Sequence, residues 1–204
     1  MIKILATIGP KTNNVDSINF ITKYTKLLRL NGSHANYEWH SETIKRIRGI
    51  KSDIVILLDI PGIKPRTNNE QNLKITKGQE VIFYYGKEYI EGGIPLTRQL
   101  PRCKEIPKTF SLNDGQHFFK TISLTENSVK GLSLSTFILK TKKGLNIPGA
   151  KYDDNVQRDY VNKFLDDFSD LDVDAYGVSF VQNDLIIKEL KLRFPEKIII
   201  SKIE

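Results

Sequence analysis

Strand-like and helix-like segments alternate at both ends of this chain, and their order restricts the fold more than any other feature. The first part follows the order strand, helix, strand, helix, strand over residues 1–8, 16–24, 27–30, 37–48 and 54–58. The last part follows the order helix, strand, helix, strand over residues 155–168, 174–180, 184–194 and 198–204. This order is typical of an α/β fold, in which helical crossovers join parallel strands. The chain is therefore predicted to contain five core strands.

Local signals set the expected limits of the helices. Asp16 or Ser17 is placed to cap the first helix, because both side chains can accept hydrogen bonds from free backbone amides. Gly49 is placed to end the second helix, since glycine is common just after a helix. The apolar residues of the third helix recur at four-residue spacing, and they are Val156, Tyr160, Phe164 and Phe168.

Residues 68–146 follow a different pattern, without a convincing helical period. Short alternating segments, such as residues 80–85 and 118–124, are separated by glycine, proline and asparagine. The sequence Asn113-Asp114-Gly115 is a strong turn signal. This region is predicted to be an all-β domain inserted after the third strand. The core domain would then consist of residues 1–67 and 147–204.

Composition excludes several classes of protein. Cys103 is the only cysteine, so an internal disulfide and a thiolate metal cluster are both excluded. No apolar run approaches the roughly 20 residues that a membrane span needs, and the first residues lack a signal-peptide pattern. The sequence therefore predicts a cytoplasmic protein without a membrane partner.

The net charge of +7 indicates an anionic partner. The lysines are scattered, and the densest cluster covers only residues 140–143. No basic run is interleaved with aromatic residues that could stack on bases. A phosphorylated small molecule is thus favoured over a nucleic acid.

The last strand-like segment, residues 197–204, contains four isoleucines. Alternation along a strand places Ile198, Ile200, Lys202 and Glu204 on one face. The pattern predicts a buried strand that ends in a lysine and a glutamate, where parallel α/β folds place their chemistry. A solvated strand end with an ion pair of no function is the alternative.

Two other predicted strands also end in polar residues. Asn31 and Ser33 follow the second strand and Asp59 ends the third, so their oxygens would suit an alkali or alkaline-earth ion. Arg29 and Arg66 offer forked donors for phosphate. Each residue alone has a simpler interpretation, such as a helix cap or a solvated side chain. Because the ends of parallel strands meet on one side of a sheet, their joint placement favours a functional site.

At this level of detail the sequence resembles the first half of pyruvate kinase. The matching segments occur in family order and are Ala6-Thr7-Ile8-Gly9-Pro10, Arg29-Leu30-Asn31-x-Ser33-His34 with Glu38 and His40, Leu57-Leu58-Asp59-x-x-Gly62 with Arg66-Thr67, Asn113-Asp114-Gly115, Lys142-Lys143-Gly144-x-Asn146-x-Pro148-Gly149, Ser179-Phe180-Val181 and Ile200-Ser201-Lys202-Ile203-Glu204. The resemblance implies an incomplete (β/α)8 TIM barrel, with five of eight strands. It also implies that the inserted β-rich domain after the third strand is a mobile lid.

The resemblance further implies phosphoryl transfer between phosphoenolpyruvate and ADP in glycolysis, giving pyruvate and ATP, with Mg²⁺ or Mn²⁺ and K⁺. The implied K⁺ ligands are Asn31, Ser33, Asp59 and the backbone carbonyl of Ile60. Lys202 and Arg29 would hold the transferring phosphoryl group, and Glu204 would bind the divalent metal. The residues implied to contact the nucleotide are Asn31, His34, Arg66 and Lys143. A full-length form is expected to be a homo-oligomer.

The sequence departs from the family pattern at several points. Pro61 lies where many members have a lysine, although Lys64 is nearby. Gly32 replaces the usual phenylalanine and Ala35 the usual glycine, which predicts looser local packing. The chain also stops before the last three barrel strands of the family, so it is interpreted as a fragment or a truncated chain.

Two other functions remain open from sequence alone. The first is a non-catalytic, pyruvate-kinase-like protein that binds nucleotide and cation. The second is a different barrel enzyme that uses phosphoenolpyruvate or pyruvate, such as an aldolase, against which the long β insert argues.

Overall fold

The computed structural model describes residues 3–203 and divides into two compact units. The first unit comprises Met1–Ile63 and Asn155–Glu204, and the second comprises Lys64–Asp154. The sequence predicted the first boundary at 67/68, four residues later than in the structure. It predicted the second boundary at 146/147, eight residues earlier than in the structure. The α/β class is confirmed.

The first unit is built from five strands and four helices within the described residues. Its strands are β1 (Leu5–Ile8), β2 (Leu27–Asn31), β3 (Val55–Ile60), β14 (Ala175–Val178) and β15 (Ile198–Ser201). Its helices are α1 (Val15–Ile21), α2 (Tyr37–Ile50), α3 (Asp154–Phe168) and α4 (Leu185–Arg193). None of these helices is long and apolar enough to span a membrane, which holds for the chain from residue 3 to 203.

The five strands form one parallel sheet in the order β1-β2-β3-β14-β15. Alternate side chains from these strands, including Leu28, Leu58 and Tyr176, are fully buried in a core that also takes in the buried faces of the helices. Residues of the opposite parity, such as Arg29 and Asp59, must therefore lie on the other face of the sheet.

The limits of the first two helices differ from the sequence prediction. Asn14 caps α1, since its Oδ1 accepts a hydrogen bond from the Ser17 amide at 2.9 Å, and Asp16 lies inside the first turn. This helix ends at Ile21, after which the Lys23 and Tyr24 amides donate to carbonyls three residues earlier, the pattern of a tighter last turn. Helix α2 continues through Gly49 to Ile50, whose side chain packs against the core and keeps the last turn helical.

The buried face of α3 is also displaced from the predicted spacing. Gln157, Val161 and Leu165 are its buried residues, whereas Val156 is 54% exposed. Phe164 is only partly buried, although it packs against the core. A polar side chain therefore lies on the buried face of this helix.

The prediction that the last strand is buried is wrong for residues 198 and 200. Ile199 packs against the core, but Ile198 and Ile200 are 52% and 41% exposed. The reason is that β15 pairs only with β14 in the described chain. At the opposite edge of the sheet, Leu5 on β1 is 45% exposed for the same reason.

The second unit contains strands only, within its described residues. Its strands are β4 (Leu73–Ile75), β5 (Glu80–Tyr84), β6 (Ile94–Pro95), β7 (Arg102–Cys103), β8 (Thr109–Leu112), β9 (His117–Leu124), β10 (Ser128–Ser133), β11 (Phe137–Leu139), β12 (Leu145–Asn146) and β13 (Ala150–Lys151). Six of them form a sheet in the order β12-β8-β9-β10-β5-β6. Its core is aromatic, with Phe110 stacked on Phe119 at 5.0 Å and Phe83 against the edges of both.

Candidate functional site

Strands β2 and β3 bring three of the predicted site residues to one face of the sheet. Asn31 and Asp59 are paired in the parallel register, and Arg29 precedes Asn31 by two residues. Residues two apart on a strand share a face. Arg29, Asn31 and Asp59 therefore converge at the carboxyl end of the sheet.

Asp59 lies between two cations. Its side chain is 5% exposed, and its Oδ2 accepts hydrogen bonds from Arg29 Nε at 2.8 Å and from Nη2 at 2.5 Å. Its Oδ1 forms an ion pair with Lys202 Nζ at 2.6 Å. The side chains of Arg29 and Lys202 are 27% and 32% exposed, so both cations remain accessible from solvent. One buried carboxylate thus holds two cations, and the cluster carries an excess of positive charge.

Two neighbouring residues, Thr7 and Gly177, border this cluster. Thr7 Oγ1 accepts a hydrogen bond from Arg29 Nη1 at 3.1 Å, which fixes the far side of the guanidinium group. Gly177 on β14 lies opposite Asp59, and a Cβ atom there would come within 3.5 Å of Asp59 Oδ1. Lys202, which follows β15, pairs with Asp59 of β3 across β14 at this position. Sequence reasoning did not assign Thr7 or Gly177 to the site, although Thr7 belongs to a matched segment.

The turn after β2 is held tightly against β3. Asn31 Oδ1 accepts from the Ser33 amide at 3.0 Å, and the Gly32 amide donates to the Asp59 carbonyl at 2.9 Å. A Cβ atom on Gly32 would lie 2.6 Å from Phe164 Cζ and 2.7 Å from the Asp59 carbonyl oxygen. The expectation of looser packing at Gly32 is therefore wrong, because the Phe164 ring fills the space and leaves no room for a side chain.

His40 anchors the end of the same turn. It is fully buried on α2, and its Nε2 lies 2.9 Å from the carbonyl oxygen of His34. Burial lowers the pKa of His40, and the contact with that carbonyl acts in the opposite direction but more weakly. A neutral imidazole must carry its hydrogen on Nε2 here, because a carbonyl oxygen only accepts. Ala35, the next residue after His34, has a φ of 65°, a conformation that favours glycine.

The remaining predicted residues are divided between the units. Ile60 ends β3, and its carbonyl oxygen accepts a hydrogen bond from Ser179 Oγ at 3.0 Å. Arg66 and Lys143 belong to the second unit, where Arg66 Nη1 donates to the Lys142 carbonyl at 3.2 Å. Glu204, predicted to bind a divalent metal, lies outside the described residues.

The oxygen atoms at the carboxyl end of the sheet are of the chemical kinds that bind a monovalent cation. Asn31, Ser33, Asp59 and Ile60 offer amide, hydroxyl, carboxylate and carbonyl oxygens, and hard cations prefer oxygen ligands. Between residues 3 and 203, no three histidine, cysteine or acidic side chains converge as they would around a divalent metal. The arrangement can bind an anion through its exposed cations and a cation through its oxygens.

Comparison with known proteins identifies the family. The family described as "Pyruvate kinase, barrel domain" matches residues 1–204. The pyruvate kinase of Thermococcus litoralis is 30% identical over 99% of this chain and 45% of its own length. The pyruvate kinase of Thermotoga maritima is 26% identical over 99% of this chain and 46% of its own length.

A solved structure agrees with the sequence relatives. The crystal structure of Cryptosporidium parvum pyruvate kinase superposes with a TM-score of 0.73 at 26% identity, covering 99% of this chain and 47% of that chain. The chain spans about half the length of these relatives. The resemblance carried by the sequence motifs is confirmed, and the chain belongs to the pyruvate kinase family.

Proposed function

We propose that this chain forms part of a pyruvate kinase that transfers a phosphoryl group between phosphoenolpyruvate and ADP, giving pyruvate and ATP. The observation that carries the proposal is the buried Asp59 carboxylate between two partly exposed cations, Arg29 and Lys202. An excess of positive charge at the end of a parallel sheet suits a phosphorylated substrate. Family membership makes phosphoenolpyruvate the natural candidate.

Arg29 and Lys202 are the proposed catalytic residues. The phosphoryl group would leave the enol oxygen of phosphoenolpyruvate and bond to a terminal phosphate oxygen of ADP. The enolate that remains would take up a proton from water at its methylene carbon to give pyruvate. Such transfers depend on positioning and on cationic stabilisation of the phosphoryl oxygens. Arg29 offers a planar fork of donors to these oxygens, and Lys202 would also offset the charge that develops on the enolate oxygen.

Two kinds of metal ion are proposed cofactors. Asn31, Ser33, Asp59 and the Ile60 carbonyl would hold K⁺, because all four supply oxygen ligands on adjoining segments of β2 and β3. Glu204 would contribute to a Mg²⁺ or Mn²⁺ site. When bound, these ions supply further positive charge next to the phosphoryl oxygens.

The second unit is the proposed lid of the site and provides part of the nucleotide site. Arg66 and Lys143 come from neighbouring segments there, since Arg66 and Gly144 form a β-bridge. Together with His34 and Asn31 of the first unit, they are the proposed contacts of the nucleotide. Lys64, in the same unit, pairs with Asp114 at 3.1 Å and is not among these proposed contacts.

The sheet is proposed to be five strands of an eight-stranded barrel. Both of its edges carry half-exposed apolar residues, Leu5 on β1 and Ile198 and Ile200 on β15. Open edges of this kind pair readily with further strands. In the whole protein, which we propose to be a cytoplasmic homo-oligomer, additional strands would cover them.

The test is a chimaera in which residues 1–204 replace the matching part of the Thermococcus litoralis enzyme. Pyruvate formation from phosphoenolpyruvate and ADP would be measured with a coupled lactate dehydrogenase assay. Activity of the chimaera, dependent on these residues, would support the proposal. A folded chimaera that binds ADP but forms no pyruvate would instead indicate a binding protein.

A further inference from the structure

Gln157 is a buried polar residue with an unusual pair of contacts. It lies on α3, is 4% exposed, and shares its buried face with Val161 and Leu165. Its Nε2 atom donates to the Ser179 carbonyl at 2.9 Å and to the Phe180 carbonyl at 2.8 Å. Both hydrogens of the amide group are thus used on one turn of the chain.

The turn that Gln157 holds, residues 179–181, follows β14 and is strained. Phe180 has a φ of 57°, in the left-handed region that a bulky residue rarely adopts. Its ring lies against Gly62, where a Cβ atom would come within 2.4 Å of Phe180 Cδ2. Strained backbone persists only where its surroundings fix it, and such strain is concentrated at functional sites.

This turn contacts both halves of the candidate site. On one side, Ser179 Oγ donates to the Ile60 carbonyl at 3.0 Å, next to Asp59. On the other side, the Val181 amide donates to the Lys202 carbonyl at 3.1 Å. The Lys202 amide in turn donates to the Val178 carbonyl at 2.9 Å. A displacement of the turn would therefore move the Ile60 carbonyl and the Lys202 backbone together.

We propose that Gln157 is a positioning residue that sets, through the 179–181 turn, the relative placement of the Ile60 carbonyl and Lys202. The roles of cation ligand and phosphoryl-binding lysine rest on the proposed function, but the geometric coupling does not. Gln157 itself contacts neither of these groups. Its effect is transmitted by Ser179 on one side and by Val181 on the other.

The first test is an NMR comparison on the 204-residue chain. Gln157→Leu keeps the size of the side chain and removes both donors. Asn162→Leu is the matched control, because Asn162 lies on the same helix and donates to Glu189 at 2.9 Å, away from the turn. We expect the amide shifts of Gly62, Val181 and Lys202 to change in Gln157→Leu and to remain near wild type in Asn162→Leu. Unchanged shifts in Gln157→Leu would overturn the proposal.

A second variant tests the transmission that the proposal requires, and it can be used if Gln157→Leu does not fold. Ser179→Ala removes only the link to Ile60. We expect the amide shifts of Ile60 and Gly62 to change while those of Val181 and Lys202 stay near wild type. Equal changes on both sides, or none on either side, would contradict a turn with two separate links.

A third measurement connects the turn to cation binding. The midpoint of thermal unfolding would be measured at increasing K⁺ concentrations. KCl would replace tetramethylammonium chloride, so that the ionic strength stays constant. Loss of an outer residue that orients metal ligands typically weakens binding by about 10-fold to 100-fold. We expect Gln157→Leu to raise the half-saturating K⁺ concentration by about 10-fold and Asn162→Leu to leave it unchanged. An unchanged value in Gln157→Leu would overturn the positioning role. A wild-type chain without any K⁺ response would overturn the proposed cation site, and the amide shifts would still decide the role of Gln157.

Discussion

The two ends of the parallel sheet each hold an arginine–aspartate network, and the networks differ in their balance of charge. At the amino end, Arg48 lies between two carboxylates, with Nε 2.8 Å from Asp172 Oδ2 and Nη2 2.8 Å from Asp174 Oδ2. At the carboxyl end, Asp59 lies between two cations, Arg29 and Lys202. The amino end thus has more carboxylates than cations, and the carboxyl end has more cations than carboxylates.

The amino-end network ties strands to a helix. Arg48 Nη1 donates to the Ile54 carbonyl at 2.6 Å, and Asp174 Oδ2 also accepts from the Ile56 amide at 2.7 Å. These bonds join the last turn of α2 to the starts of β3 and β14. Each nitrogen of the Arg48 guanidinium group donates inside the protein, which indicates a role in stability.

Backbone strain separates the two ends in the same way. Within the described part of the first unit, the non-glycine residues with positive φ are Ala35 and Phe180, and both follow strands at the carboxyl end. The described connections at the amino end contain no non-glycine residue with positive φ. An end whose arginine is enclosed by acceptors and an end with strained turns and excess cations are the expected division between stability and ligand binding in a parallel α/β fold.

The largest expected effect is on turnover. Lys202→Met in the Thermococcus litoralis chimaera should lower kcat by about 1000-fold, the loss typical of one preorganised group that stabilises charge in the transition state. The free energy of unfolding should change little, because Asp59 keeps its two bonds from Arg29. Coupled assay and urea denaturation give the two values. Near-normal turnover in a folded variant would refute the role of Lys202.

Asp59→Asn tests the excess of positive charge directly. Removing the buried carboxylate leaves Arg29 and Lys202 without their counter-charge and should cost about 3 kcal/mol of stability, the lower range for a buried pair because both cations are partly exposed. Inorganic phosphate at ten times its dissociation constant should restore about 1.4 kcal/mol. Urea denaturation with phosphate, and with chloride at matched ionic strength, provides the measurement.

The phosphate response is the decisive part of this experiment. If chloride restored stability as well as phosphate does, the effect would be general screening and the anion site would not exist. A phosphate response no larger than that of the wild-type chain would likewise contradict an excess of positive charge that Asp59 normally offsets in part.

Arg48→Met tests the opposite end. It removes the hydrogen-bond donors of Arg48, whose side chain is 19% exposed, and should cost about 2 kcal/mol, as expected for hydrogen bonds to charged groups. Phosphate should not restore this loss, because the change leaves two carboxylates and no additional cation. The chimaera carrying Arg48→Met should keep its kcat at a temperature where it is folded. A loss of kcat without a loss of stability would contradict the assignment of the amino end to stability and of the carboxyl end to ligand binding.

The main features of the fold followed from sequence because they depend on local period and on spaced motifs. The alternation of strands and helices predicted the parallel sheet, and the register of β2 and β3 then brings Asn31 beside Asp59. The exposure of Ile198 could not be predicted, since it depends on which strands are present to pair with β15. The glycine signal also gave the wrong end for α2, where packing of Ile50 outweighs the tendency of Gly49 to end a helix.

The coupling through Gln157 was not visible in the sequence. A single glutamine among apolar residues is ordinary in composition, and its two bonds depend on a turn more than twenty residues later. The four-residue spacing of Val156, Tyr160 and Phe164 also predicted that a different face of α3 is buried. A polar residue spaced four and eight residues before Val161 and Leu165 was the available signal.

His40 provides a test through pH. Burial lowers its pKa below the ordinary 6.5, so the unfolded chain binds a proton more readily than the folded chain. Stability should therefore fall as the pH drops below about 6.5, by at most about 1.4 kcal/mol per pH unit from this group. His40→Gln keeps a donor for the His34 carbonyl and cannot titrate, so its stability should lack this component. Equal pH dependence in both proteins would contradict the assignment.

The smallest effect concerns Ala35 at the carboxyl end and Gly49 at the amino end. Ala35 has the left-handed conformation that favours glycine, and Gly49 has the helical conformation that favours alanine. Ala35 is exposed with a φ of 65°, and Gly49 lies inside α2 with open space around a possible Cβ atom. Ala35→Gly should raise the free energy of unfolding by about 0.5 kcal/mol, since relief of left-handed strain exceeds the entropy that glycine adds to the unfolded chain. Gly49→Ala should raise it by about 1 kcal/mol through helix propensity. Urea denaturation measures both. If Ala35→Gly destabilised the chain as an ordinary alanine-to-glycine change does, the turn at the carboxyl end would not be strained, and the contrast in strain between the two ends would fail at this position.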